Sequence, residues 1–304
     1  MAITEKQAAD RKKGIGSSDV ACIFGMNPYR TALDLWLEKT GRVDSFTGNE
    51  ATMWGDFMEP GILKYVEHAL GEKVYAPKQT FVKGILRSNV DGMVGKFAKG
   101  QPIVEAKSSL VDAGWGEPGT DQIPDMVMLQ VQHQLICAES DDAIVCRLSH
   151  RKFDIYCVGI DIDLCHAIQT RCEKWWIEHI VADVAPEASG MTDSTKEYFA
   201  SMKRENDTVA EIDPEMAKRH IEITAIIKDL KDEQSTIKSL LMQQVGEASR
   251  GQGGGYMMNV TVVKGKQTVD SKLLKMRHPD VYEQVLKTNN PHTRAIPKKM
   301  KEAE

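Results

Sequence analysis

Apolar residues recur along the chain in distinct rhythms, and each rhythm predicts a different kind of element. In ILRSNVDGMVGKFAKGQPIVEAK (85 to 107), Ile85, Leu86, Val90, Met93 and Val94 precede a turn-rich stretch from Gly95 to Pro102, and Ile103 and Val104 follow it. Short apolar runs around such a turn predict two paired strands. Spacing of three and four predicts helices elsewhere. One carries Leu33, Trp36 and Leu37 and stops at Gly41; a second, near 50 to 70, spaces Met53, Trp54, Phe57, Met58, Ile62, Leu63 and Val66 for a buried face. A third is MVMLQVQHQLICA, in which Gln130 and Gln134 share a face. DAIVCRLSH and KFDIYCVGIDID read as two more strands turning near His150 and Arg151, and a helix from about 163 to 181 would pack on them. The sum is an α/β core with a mixed central sheet, over residues 1–184.

Beyond Val184 the rhythm breaks. Residues 185–212 contain APEASGMTDST, whose Pro, Gly, Ser and Thr predict a linker or surface crossing. Residues 213–304 form a C-terminal extension with a long helix, a strand and a basic tail. Its helix opens at Asp213-Pro214 and repeats Ile223, Ile227, Leu230, Ile237 and Leu241 at steps of three and four, with Gln234 interrupting the seam. That spacing fits a helical hairpin arm or coiled coil, and equally an amphipathic helix lying on the core. GQGGGYMMNVTVVKGK then gives a glycine loop and a strand; it has no nucleotide-binding fingerprint, because no strand leads into the glycines and no helix follows.

Composition narrows the class. The chain has 304 residues, enough for a sizeable core, and a net charge of −5, which argues against a protein that coats nucleic acid indiscriminately. Phosphate contacts would then be local, with Arg11, Lys12, Lys13, Arg30, Lys78, Lys83 and Arg87 as candidates. No apolar run is long enough to span a bilayer and the polar N-terminus has no signal-peptide core, so the expectation is a cytoplasmic protein. Six cysteines without a C-x-x-C pair predict buried thiols rather than a zinc or redox site.

The strand pair carries the candidate chemistry. Side chains alternate along a strand, so Glu105 and Lys107 share a face with Ala106 opposite, and a paired strand can set Asp91 beside them. Two carboxylates hold a hard divalent cation through oxygen, and a lysine offers positive charge to a phosphate or an attacking water. The expected ion is Mg²⁺, with Mn²⁺ as a substitute. Ser17 and Ser18 after Gly16 predict a helix start, which suits an anion or serves simply as a cap. His133 reads as structural, since oxygen ligands suffice for Mg²⁺.

GIGSSDVACIFGMNPYRTALDLWLEKTG (14 to 41), WGDFMEP (54 to 60), VDGMV (90 to 94), VEAKSS (104 to 109), GTDQIP (119 to 124) and LQVQHQL (129 to 135) follow one another in a familiar order. In that ordered series the chain resembles the YqaJ-type viral recombinase nucleases, relatives of phage lambda exonuclease in the PD-(D/E)xK superfamily, strongly over about residues 10 to 180. The resemblance implies a restriction-endonuclease-like core and Mg²⁺-dependent degradation of linear double-stranded DNA, 5′ to 3′, leaving 3′ single strands for recombination. It implies Asp91, Glu105 and the Ala106 backbone carbonyl as metal ligands, Glu59 approaching the metal through water, Gln130 against the nucleophilic water, and Arg11, Ser18 and Asn89 at the 5′ phosphate. Val90 stands where the superfamily has proline, and Ala113 where an arginine helps hold the terminal phosphate, which puts strict 5′-phosphate dependence in question. A single-strand annealing protein is the implied partner, and a homo-oligomer, such as a trimeric ring, the implied assembly. The alternatives are an endonuclease with the same site and a catalytically silent DNA-end-binding scaffold.

Overall fold

The computed structural model describes residues 12–44, 48–95, 100–150, 152–205 and 208–287, together with 295 and 297. The chain divides into two compact units, Met1–Met202 and Lys203–Glu304.

The first unit opens with β1 (Ile15–Gly16), a 3₁₀ turn (Ser17–Asp19) and the short helix α1 (Val20–Ile23). Then come α2 (Ala32–Lys39), α3 (Glu50–Leu70), β2 (Val74–Tyr75), β3 (Phe81–Lys83), β4 (Leu86–Ser88), β5 (Gly92–Val94) and β6 (Ile103–Ser108). After them run α4 (Asp125–Ala138), β7 (Asp142–Ser149), β8 (Lys152–Gly159), α5 (Ile162–Trp175), a π turn (Trp176–Val181) and α6 (Asp193–Ser201). Five strands form the central sheet in the order β2-β5-β6-β7-β8, and β1-β4-β3 form a smaller one. Only the β6–β7 pairing in the central sheet is parallel, and α4 supplies the crossover that such a pairing needs. The mixed α/β core expected of the sequence is therefore present, with helices on both faces of the sheet.

Alternation along β6 decides what each face holds. Ile103 packs with Met93, Val145 and Tyr156 against Val127, Val131 and Leu135 of α4. Val104 and Ala106 point the other way, with Ile62 and Val66 of α3. Glu105 and Lys107, in phase with Ile103, thus lie on the α4 side.

Four expectations change. The 85–107 segment is not one hairpin: Leu86–Ser88 joins the small sheet beside β1 and β3, and only β5 pairs with β6. In α3, only Ile62 and Val66 are buried, whereas Met53, Trp54 and Phe57 are 52, 57 and 66% exposed, because among the described residues no neighbouring element covers the first turns of that helix. Arg30 is not a free phosphate contact, since it pairs with Glu38 and lies 3.6 Å from Asp19, which also holds Lys39 at 2.6 Å. Residues 185–212, read as a linker or surface crossing, include α6. Thr195 of that helix is fully buried and donates to Asp34 of α2 at 3.0 Å, and Tyr198 meets the Trp36 ring edge-on at 6.2 Å.

The second unit contains α7 (Pro214–Val245), β9 (Arg250–Gly253), β10 (Tyr256–Asn259), α8 (Ser271–Arg277) and α9 (Pro279–Val285). Asp213 caps α7 through bonds from the Glu215 and Met216 N–H groups, and Pro214 takes the first helical position. The glycine segment makes an antiparallel hairpin of two strands rather than a loop and one strand. Gly254 and Gly255, at φ 56° and 84°, supply the left-handed backbone that a two-residue hairpin turn requires. No helix among the described residues is long and apolar enough to cross a membrane.

Candidate active site

Glu105 is the centre of the site. It is 2% exposed on β6, and its carboxylate is surrounded by donors. Lys107 Nζ lies 2.5 Å from Oε1, Gln130 Nε2 donates to the same oxygen at 2.6 Å, and Gln134 Nε2 donates to Oε2 at 2.5 Å. The Gln130 carbonyl in turn accepts from Lys107 Nζ at 2.8 Å, so β6 and α4 are joined by a closed ring of charge-assisted bonds. Gln130 and Gln134 reach Glu105 together because they are one helical turn apart, while Gln132 on the opposite side binds the Gly159 carbonyl and the Asp161 N–H.

Asp91 lies just before β5, and its Oδ2 accepts the Ala106 N–H at 2.8 Å. That bond crosses from β5 to β6 and sets the second carboxylate beside the first. Burial and the negative Glu105 push the Asp91 carboxyl well above its usual range. Glu59, half-buried on α3, is raised by burial and by the charges of Asp56 and Glu105. Lys107 behaves in the opposite sense: burial alone would lower its pKa, but the Glu105 carboxylate outweighs that and raises it, keeping the ammonium charged.

Carboxylates that repel one another in a buried place fit a divalent cation, because hard oxygen donors and net negative charge are what Mg²⁺ or Mn²⁺ requires. Among the described residues no three His, Cys, Asp or Glu side chains form a ready ligand cluster. The groups here that could hold a cation are the Asp91 and Glu105 carboxylates and the Ala106 carbonyl.

The residues assigned to a terminal phosphate are less gathered. Ser18 is exposed on the 3₁₀ turn, and Asn89, also exposed, accepts from Thr80 Oγ1 at 2.8 Å. Arg11 lies outside the described residues. Ser17 is turned inward instead of being presented at a helix start: its hydroxyl donates to Ser88 Oγ at 2.9 Å and lies 3.1 Å from His133 Nδ1. His133 is fully buried, and burial pushes its pKa down to about 4, so it serves as a neutral link between α4 and the 3₁₀ turn.

Two contributors were not singled out from sequence. Gln134 had a signal, its i,i+4 relation to Gln130. Arg147 had none: opposite Lys107 on β7, it is 3% exposed, binds the Val111 carbonyl at 2.9 Å, pairs with Asp112 and lies 5.1 Å from the Trp115 ring centroid. It ties the 109–115 loop down beside the site, and Trp115 packs on Tyr156 at 5.1 Å.

A family model described as the YqaJ-like viral recombinase domain matches residues 8–141. The protein YqaJ of Bacillus subtilis (strain 168), described as uncharacterized, is 29% identical over 291 residues, covering 91% of this chain and 89% of that protein. Among solved structures, the alkaline exonuclease LHK-Exo from Laribacter hongkongensis aligns with TM-score 0.47 at 18% identity, covering 59% of this chain and 94% of that one. A phage-related exonuclease from Haemophilus somnus 129PT aligns with TM-score 0.43 at 13% identity, covering 56% and 96%. The matched stretch contains Glu59, Asp91, Glu105, Lys107 and Gln130, and over residues 8–141 this chain is similar to the YqaJ-like viral recombinase domain.

Proposed function

We propose that the protein is a divalent-cation-dependent deoxyribonuclease that shortens linear duplex DNA from its ends, 5′ to 3′, leaving 3′ single strands for recombination. The observation that carries this reading is the convergence of Asp91, Glu105 and Lys107 at one place, held by Gln130 and Gln134. Asp91, Glu105 and the Ala106 carbonyl would hold the cation, with Glu59 acting through water. Mg²⁺, or Mn²⁺ in its place, supplies polarisation of the scissile phosphate and a lowered pKa for a bound water.

The chain's own groups do the rest. Lys107 offers its charged ammonium to the phosphate or the attacking water. Gln130, bonded to both Lys107 and Glu105, fixes the direction of that ammonium and orients the water. Ser18, Asn89 and Arg11 would meet the terminal phosphate. The resemblance to YqaJ-type recombinase nucleases supports the end preference and polarity, action in the cytoplasm, hand-over of the 3′ strand to a single-strand annealing protein, and assembly of several copies.

The test is digestion of linear duplex DNA labelled at either the 5′ or the 3′ end, with and without Mg²⁺, beside a covalently closed circle. Early release of the 5′ label with the circle intact is expected. A cut circle would make the protein an endonuclease, and end binding without cleavage would make it a scaffold.

A further inference from the structure

No residue of α7 is buried, although its seam is apolar. Ile223, Ile227, Leu230, Ile237 and Leu241 are between 41 and 58% exposed, and Gln234 interrupts them. Their steps of four and three repeat every seven residues, which places Ile227, Gln234 and Leu241 at the a positions of a coiled coil and Ile223, Leu230 and Ile237 at d. A seven-residue repeat keeps its seam in contact only with another helix that winds along it. A helix with no such partner has little beyond its own backbone ladder to hold it.

The flanking charges indicate what covers the seam. In this register Lys231 and Lys238 occupy e positions and Glu233 a g position. When two copies lie parallel and in register, g of one helix faces e of the following heptad on the other. That sets Glu233 against the partner's Lys238, and does so on both sides of the helix pair. An antiparallel pair faces e with e, lysine with lysine. Gln234 adds a second constraint. In the parallel register it meets its own copy, and each amide has both a donor and an acceptor for the other. A slip of one heptad would bury it against Ile227 or Leu241 with its amide unsatisfied.

We propose that α7 is a self-association helix, its seam covered by α7 of a second copy, parallel and in register. The opposed charges and the single polar layer then have one task, fixing direction and register, while the aliphatic residues supply the adhesion.

Sedimentation equilibrium of the full chain between about 1 and 100 µM tests this, because self-association makes the mean mass rise with concentration. The unaltered chain should sediment as a multiple of its single-chain mass, and the double variant Ile227→Asp/Leu230→Asp at a lower mass. Glu233→Lys and Lys238→Glu should each weaken association about tenfold by opposing like charges, and the two combined should restore it to within about threefold. The restored variant also guards against a seam variant that fails to fold. A single-chain mass for the unaltered protein would overturn the proposal. Unchanged mass in the seam variant, or no recovery in the charge-exchanged one, would overturn it as well.

Discussion

Helices α4 and α7 are both amphipathic, yet the shorter one is the more deeply built in. Of the 14 residues of α4, ten are buried, and the side-chain N–H groups of its polar Gln132 and Gln134 have partners inside, while the Gln134 carbonyl has none among the described residues. The 32 residues of α7 include none that is buried. Length therefore says little about how strongly a helix is held; what matters is the apolar area it removes from water and whether its polar side chains are satisfied there. In α4 that burial holds two glutamines against Glu105. In α7 the same aliphatic residue types remain available to something outside the single chain.

The contrast can be broken most forcefully at the site. Lys107→Ala should slow cleavage by about 10²–10³-fold, or abolish it, while DNA binding persists, since it removes the positive charge beside the reacting phosphate. Single-turnover digestion set beside a binding isotherm decides; full activity would remove Lys107 from the mechanism. Packing comes next. Leu135→Ala on α4, where the side chain is fully buried, should cost about 2–5 kcal/mol, whereas Leu230→Ala, 58% exposed, should stay within about 0.5 kcal/mol when the chain is dissociated. Urea unfolding of both variants at low concentration measures the difference, and equal losses would erase the distinction between the helices.

Gln134→Ala should have a smaller effect, about 1–3 kcal/mol, because it leaves the buried Oε2 of Glu105 without that donor. An unshifted denaturation midpoint would show that Lys107 and Gln130 suffice. The smallest effect concerns pH. The raised pKa of Asp91 means that the folded protein binds more protons than the unfolded chain between the two pKa values. Stability therefore falls as pH rises through that interval and is unaffected below it. In chelator, the melting temperature of the unaltered chain should decline as pH rises above about 4, that of Asp91→Asn should decline less, and Mg²⁺ should flatten the difference. Parallel profiles in the two proteins would contradict the repulsion between Asp91 and Glu105.

Much of this was legible in the sequence because strand alternation is a strict rule. Glu105 and Lys107 had to share a face, and Gln130 and Gln134 had to share another one turn apart. The long α7 was legible for the same reason, its cap and its repeat both being local. The misreadings concern what lies opposite an element, which no local pattern states. Met53, Trp54 and Phe57 have the spacing of a core face but are more than half exposed. Arg30 looked like a surface cation until Asp19 and Glu38 were found beside it. Leu86–Ser88 reads as the first half of a hairpin, yet its partners are β1, some seventy residues earlier in sequence, and β3. Arg147 lay in an ordinary strand, and only its contacts with the Ser109 and Val111 carbonyls reveal that it anchors a loop.

The hydroxyls around Asp34 bear on where this chain can be shortened. Asp34 accepts from the Thr31 N–H and hydroxyl at 2.8 and 2.9 Å, and from Thr192 and Thr195 on its other oxygen. A fragment ending at Val184 would strip away both of the latter donors and uncover the edge of Trp36, leaving a buried carboxylate half satisfied. A fragment ending after Met202 would keep them. Protease nicking should accordingly accumulate a product that retains Tyr198, and a recombinant fragment with the earlier terminus should aggregate where the later one stays dispersed.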